Sequence, residues 1–301
     1  MRARRSRRVG LVAAIVVMVL APASPAFAHA GGLTPRDHRV EVTGITPPVT
    51  GLSARMVNNG TQLQLRNAGT ADVTVLPDRA GDPSRVVRAG DTVRLTDPRT
   101  QPPPLADGRA AEGRWRIPVR TTEGTSAVVG QIEWRPGPSP LPWWLLIAGL
   151  AITGSLLGRV PWWRAGLAAG VVAVTGAHVA HVAGSALAVT GQPFVSLFLG
   201  ASGVGLVCWP LGAATVVAAA RRSTHTAFVA AVVGAALVVA ALPDFGSFGY
   251  SELPFAWPAS TDRLLLASTL GGGAGLAAGG FVGMRRQLSG SEPLPGATES
   301  T

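Results

Sequence analysis

Downstream of residue 135 the chain carries four long stretches with no Asp, Glu, Lys or Arg: Pro136–Gly158, Ala165–Ala220, Ser223–Pro243 and Leu264–Met284. A hydrocarbon core about 30 Å thick needs roughly 20 apolar residues per crossing helix. The second stretch is long enough for two crossings, so the pattern predicts five. The expected spans are 142–158, 165–187, 194–220, 225–242 and 264–284, a five-helix transmembrane domain over 142–286. Pro210 falls inside the third span and is expected to kink it.

The N-terminus reads as an export signal. Met1-Arg-Ala-Arg-Arg-Ser-Arg-Arg8 is a positive leader and Gly10–Leu20 is an apolar run. Pro22-Ala-Ser-Pro-Ala-Phe-Ala28 supplies small residues at Ala26 and Ala28, an A-x-A cleavage site. The predicted signal peptide is therefore 1–28, and processing would make His29 the first residue. The alternative is an uncleaved first helix.

All 26 basic residues are Arg. The net charge of +10 invites a nucleic-acid reading, but its distribution argues against one. Five Arg precede residue 29, and Arg159, Arg164, Arg221, Arg222, Arg285 and Arg286 sit at the ends of apolar spans. With residue 135 outside, those six pairwise-placed Arg lie on the cytoplasmic side, and only Arg135 and Arg263 flank the membrane outside. The expected location is the plasma membrane, multi-pass, with an extracytoplasmic N-terminal domain and a cytoplasmic C-terminus. The lipid bilayer is the expected partner, with nucleic acid excluded.

Residues 29–135 alternate like short strands between turns. Candidates are Val40–Ile45, Leu52–Val57, Gln62–Leu65, Val73–Leu76, Ser84–Arg88, Thr92–Leu95, Arg114–Val119 and Ala127–Trp134. Asn59-Gly60 is a two-residue hairpin signal. This spacing predicts an all-β, immunoglobulin-like sandwich. Cys208 is the only cysteine, so no disulfide forms within one chain, and about 107 residues suffice for an independent core. Residues 136–141 form a Pro-rich linker. The fold class is thus mixed, an exported β-sandwich followed by an all-α bundle, and 287–301 is expected to be a disordered tail.

Two patterns within the spans stand out. Gly271, Gly275, Gly279 and Gly283 recur every four residues and make one smooth helix face for close packing. That packing is either within the bundle or against a second copy or another envelope membrane protein. His178 and His181 share a face of the second span, where imidazoles are functional suspects. Two ligands do not close a zinc site, and no acidic residue within the spans completes a proton pathway.

A first-position His offers its α-amine and Nδ1 as a two-nitrogen chelate, a set that Cu(II) favours. The start His29-Ala-Gly-Gly after Ala-Phe-Ala28 resembles exported copper-binding proteins of the copper-resistance type, small β-sandwiches whose first His ligates copper. That resemblance implies copper at His29, with His38, His178 and His181 as further candidate metal ligands. A wider resemblance runs through the signal, the His29 start, Val42-Thr-Gly-Ile-Thr-Pro-Pro-Val49, the Asn-rich hairpin and the five spans. It is to a group of actinobacterial multi-pass membrane proteins with an exported N-terminal domain, and it implies a location rather than an activity. No nucleophile elbow, metalloprotease helix, phosphate loop or dinucleotide fingerprint is present. The expected role is non-enzymatic: binding, sensing or scaffolding at the cell envelope, with no cofactor unless copper. Copper handling is one alternative and a transporter or channel another.

Overall fold

A computed structural model of the chain describes residues 29–103, 105 and 111–289. The predicted signal peptide and residues 290–301 of the predicted tail lie outside the described residues. Among the described residues, eight strands come first: β1 (His38–Thr46), β2 (Leu52–Val57), β3 (Gln62–Asn67), β4 (Val73–Val75), β5 (Arg85–Val87), β6 (Thr92–Leu95), β7 (Gly113–Thr121) and β8 (Gly124–Trp134). All pairings are antiparallel. One sheet has five strands in the order β1-β8-β7-β4-β5 and the other has three, β2-β3-β6. Each predicted strand is present, most of them one to three residues longer or shorter.

Side chains alternate across a strand, so every second residue of β3 and β7 points inward. Leu63, Leu65, Trp115, Ile117 and Val119 accordingly join one apolar cluster with Val40, Val87, Leu95 and Val128 from both sheets. Gly130 of β8 lies opposite Trp115. Any Cβ there would collide with the indole, so glycine makes room for the largest core side chain. Asn59 and Gly60 both take positive φ (53° and 76°), and the Thr61 N–H donates to the Asn58 carbonyl at 3.2 Å. Asn58 also takes positive φ (53°), and the register ends at Val57 and Gln62, so the loop spans four residues, 58–61, rather than the two expected.

Six helices follow: α1 (Leu141–Leu156), α2 (Trp163–Leu187), α3 (Phe194–Ser202), α4 (Gly205–Ala220), α5 (Thr226–Ala241) and α6 (Ala259–Ser289). Four helical segments are long and apolar enough to cross a membrane, and α3 with α4 makes a fifth if the bent pair counts as one crossing. The third predicted span differs from expectation. It breaks by 77° between α3 and α4, at Gly203 (φ 46°, ψ −121°), whereas Pro210 continues inside α4. Few residues other than glycine adopt that backbone, so the break follows Gly203 rather than the proline. The last helix also runs further than the predicted span at both ends, and residues 287–289 are helical.

α6 lies against α1, α2 and α5, and its glycines face three ways. Gly271 meets the Ile147 backbone, Gly275 meets Gly154, and Gly279 meets the Gly154 carbonyl, all on the α1 side. Gly283 faces Ala227 and Trp163, Gly272 faces Val174 of α2, and Gly273 and Gly280 face α5. The outward surface of α1 keeps Leu145 and Ile152 exposed, 65% and 63%, as a lipid-facing helix requires.

One boundary moves. Residues 29–33 do not join the sheets: Ala30 and Leu33 pack with Ala186, Val189 and Leu197 at one end of the bundle. The β unit is clasped there by Arg36 and Glu252, which exchange backbone hydrogen bonds at 2.9 Å, and by the Ser251 hydroxyl donating to the Arg135 carbonyl at 2.8 Å.

Candidate functional site

Four polar side chains meet where the N-terminal segment enters the bundle. α2 supplies His181, the turn of 3-10 helix Leu242–Phe248 supplies Asp244, the first turn of α6 supplies Asp262, and the segment before β1 supplies His29. All are buried, with exposures of 3%, 6%, 0% and 1% in that order. His181 Nδ1 faces Asp262 Oδ1 at 2.8 Å and His181 Nε2 faces Asp244 Oδ2 at 3.1 Å. Two carboxylate acceptors on the two ring nitrogens suit an imidazolium that donates through both. The expected spans hold no acid, yet these two aspartates, from just outside them, reach His181. They sit in sequence at the edges of a loop, and the loop folds back over α2.

Three further side chains, Ser185, Arg263 and Phe255, hold the arrangement. The Ala30 N–H donates to Ser185 Oγ at 2.8 Å, which fixes residues 29 and 30 one turn above His181 on the same face of α2. Arg263 donates from Nε to the Ser247 carbonyl at 3.1 Å and from Nη2 to the Tyr250 carbonyl, pinning the turn that carries Asp244. Phe255 stacks on His181 with ring centroids 6.0 Å apart and occupies the space over Gly184.

His29 brings unused valences. Its Nδ1 lies 3.2 Å from Asp244 Oδ1, but the approach is misaligned for a hydrogen bond, and among the described residues neither atom has another partner. Its Nε2 and Asp262 Oδ2 are likewise unpartnered. The ring stands edge-on to His181 at a centroid distance of 6.0 Å. Burial pushes the His29 imidazole below its ordinary range, and the Asp244 carboxylate opposes this only in part. That direction favours the neutral ring, the state a metal ligand requires. Orphaned buried donors and acceptors of this kind call for a partner.

The other candidate residues are distributed as follows. His178 lies one turn deeper on α2, buried against Trp209 (6.3 Å between centroids) and Gly205, with both ring nitrogens unpartnered. His38 stays in β1, its Nδ1 3.5 Å from Asp37, and lines a groove between β1 and β2; the structure does not bring it to His29. Among the described residues no three His, Cys, Asp or Glu side chains are arranged together to hold a metal ion. The fit for copper is therefore narrower: the Nδ1 of His29 with the facing Asp244 oxygen, completed by the α-amine in a processed chain.

Sequence reasoning singled out His29, His178 and His181 but passed over Asp244, Asp262, Ser185 and Phe255. A signal for the aspartates existed, because Asp244, Glu252 and Asp262 are the only acids between residues 136 and 289. No protein-family model, curated protein or solved structure matches the chain.

Proposed function

We propose that this protein is a non-enzymatic binding protein of the plasma membrane that captures a transition-metal cation, with copper(II) first, where its processed N-terminus meets the helix bundle. In this reading the two sheets form an immunoglobulin-like sandwich outside the cell, the bent pair α3–α4 counts as one of five crossings, and the C-terminus is cytoplasmic. The observation that carries the reading is the burial of His29, with open ring nitrogens, beside Asp244 and His181. Asp244, whose Oδ1 faces the ligating His29 Nδ1, then supplies an oxygen donor, and Asp262 adds negative charge beside the cation. His178 offers a second nitrogen site deeper in α2.

Conduction across the membrane is less well supported. The polar row Ser185, His181, His178, Thr175 runs down one face of α2 and gives way to Val171 and Leu167, both 0% exposed.

The test is copper affinity in the purified full chain. Replacing a carboxylate beside a metal ligand commonly costs about 10–100-fold in affinity. Asp244→Asn is expected to weaken Cu(II) binding by that order, measured by isothermal titration, while His38→Ala leaves it unchanged. Affinity insensitive to Asp244→Asn but lost in His38→Ala would count against this site. Orientation has its own check. Reporter fusions after Thr190 and after Ser289 are expected to report exterior and cytoplasm respectively, and the reverse at either point would defeat the five-crossing arrangement.

A further inference from the structure

The outward face of the three-stranded sheet carries three arginines and no carboxylate. Register places Arg55, Gln64 and Arg94 in one row across β2, β3 and β6, and Ser53, Arg66 and Thr92 in the next. All three arginines are exposed. Arg94 donates from Nε to Gln64 Oε1 at 3.1 Å, while Arg55 and Arg66 have no ion pair or side-chain hydrogen bond among the described residues. Ser53, Ala54, Arg55, Gln64 and Arg66 line a recess of about 300 Å³.

The position of this face identifies its partner. Gly191 joins α2 to α3, and a Cβ there would fall on the Arg94 guanidinium. The β2–β3 turn touches the same connection: the Thr190 N–H donates to Asn58 Oδ1 at 2.7 Å. On either side of the connection Leu187 and Phe194 keep exposed apolar surface, 53% and 41%, where a hydrocarbon layer around the helices would end. Strands rise about 3.4 Å per residue, so the Arg55–Arg94 row stands roughly 7–10 Å from that edge. The headgroup zone is about 5–7 Å deep on each side, and arginine side chains span the difference.

We propose that Arg55, Arg66 and Arg94 form a binding site for the phosphate of anionic phospholipid headgroups in the leaflet that the β unit faces. Guanidinium groups bind phosphate oxygens in a bidentate fork. Gln64 holds Arg94 ready at the centre of the triad. Proximity to the bilayer selects lipid over a soluble acidic partner. The site rests on the membrane reading of the helices and is independent of copper.

The experiment titrates the full-length protein, in a neutral detergent, with phosphatidylglycerol or phosphatidylcholine and counts bound lipid by native mass spectrometry. Each surface arginine contributes enough that about tenfold preference for the anionic lipid is expected. The triple variant Arg55→Gln, Arg66→Gln, Arg94→Gln is expected to lose that preference. The triple Arg→Lys variant retains most of it. A matched loss of charge on the other sheet, Arg114→Gln, Arg116→Gln, Arg120→Gln, leaves it intact. Unchanged preference in the first variant, or equal loss in the control, overturns the proposal. Displacement of the lipid by an equal concentration of inorganic phosphate also overturns it, because the site would then serve a free anion.

Discussion

Leucine at position 275 is expected to prevent α1 from seating on α6 and to reduce the assembled protein severely. A Cβ on Gly275 would lie 2.8 Å from Gly154 Cα, 2.8 Å from the Leu150 carbonyl oxygen and 2.9 Å from that of Ala151. All three are backbone atoms, so no side chain can swing away. Overpacking of an ordinary core costs about 1–3 kcal/mol. Here four carbons must fit where two helix backbones touch, and the expected cost is at or above the upper end. Gly149 is the matching control: it sits on the exposed side of α1, where a Cβ would meet nothing within 4 Å. Gly149→Leu should keep the wild-type melting temperature in detergent, while Gly275→Leu should lower it sharply or leave no folded protein. Equal behaviour of the two would mean that the α1–α6 contact is wrong.

His181→Ala is the second large effect. The imidazole stands between two buried carboxylates, at 2.8 Å and 3.1 Å. Its removal leaves Asp244 and Asp262 buried without their shared partner. Breaking a buried ion pair on one side commonly costs about 3–5 kcal/mol. His178→Ala removes an equally buried imidazole that has no polar partner, so it forfeits packing alone and should cost clearly less. Thermal denaturation of both variants, side by side with wild type, gives the comparison. A larger loss for His178→Ala would contradict the network.

The strands were legible because burial on one face imposes a period of two on the residues, and Leu63, Leu65, Ile117 and Val119 keep it without interruption. The helices were legible from charge alone. The break in the third crossing was not: Gly200, Gly203 and Gly205 are all compatible with it, and Pro210 is the louder local signal. Only packing, with Ser202 and Gly205 buried and Gly203 exposed, selects the position. The same applies to residues 29–33, which are too few to show any periodicity. Their place on the bundle depends on apolar contacts with Ala186, Val189 and Leu197 more than 150 residues away.

The site divides along similar lines. His178 and His181 are conspicuous because an imidazole inside a bilayer is costly, and His29 because of the cleavage motif before it. Asp244 and Asp262 lie outside the expected spans, so nothing in the span pattern pointed to them. Their role comes from a fold-back in which Arg263 anchors the turn and Phe255 covers it. No local pattern encodes that closure. Residues 29–33, read from sequence as the start of the β unit, pack on the helices instead.

Copper coordination at His29 is the most direct measurement of the central claim. The full-length processed protein, loaded with one equivalent of Cu(II), is compared by electron paramagnetic resonance with His29→Ala and with a chain carrying one additional residue before His29. The account predicts a tetragonal spectrum with coupling to nitrogen in the processed protein, and its loss in both altered forms, since one lacks the imidazole and the other the free amine beside it. The same spectrum in all three would contradict copper capture at the N-terminus.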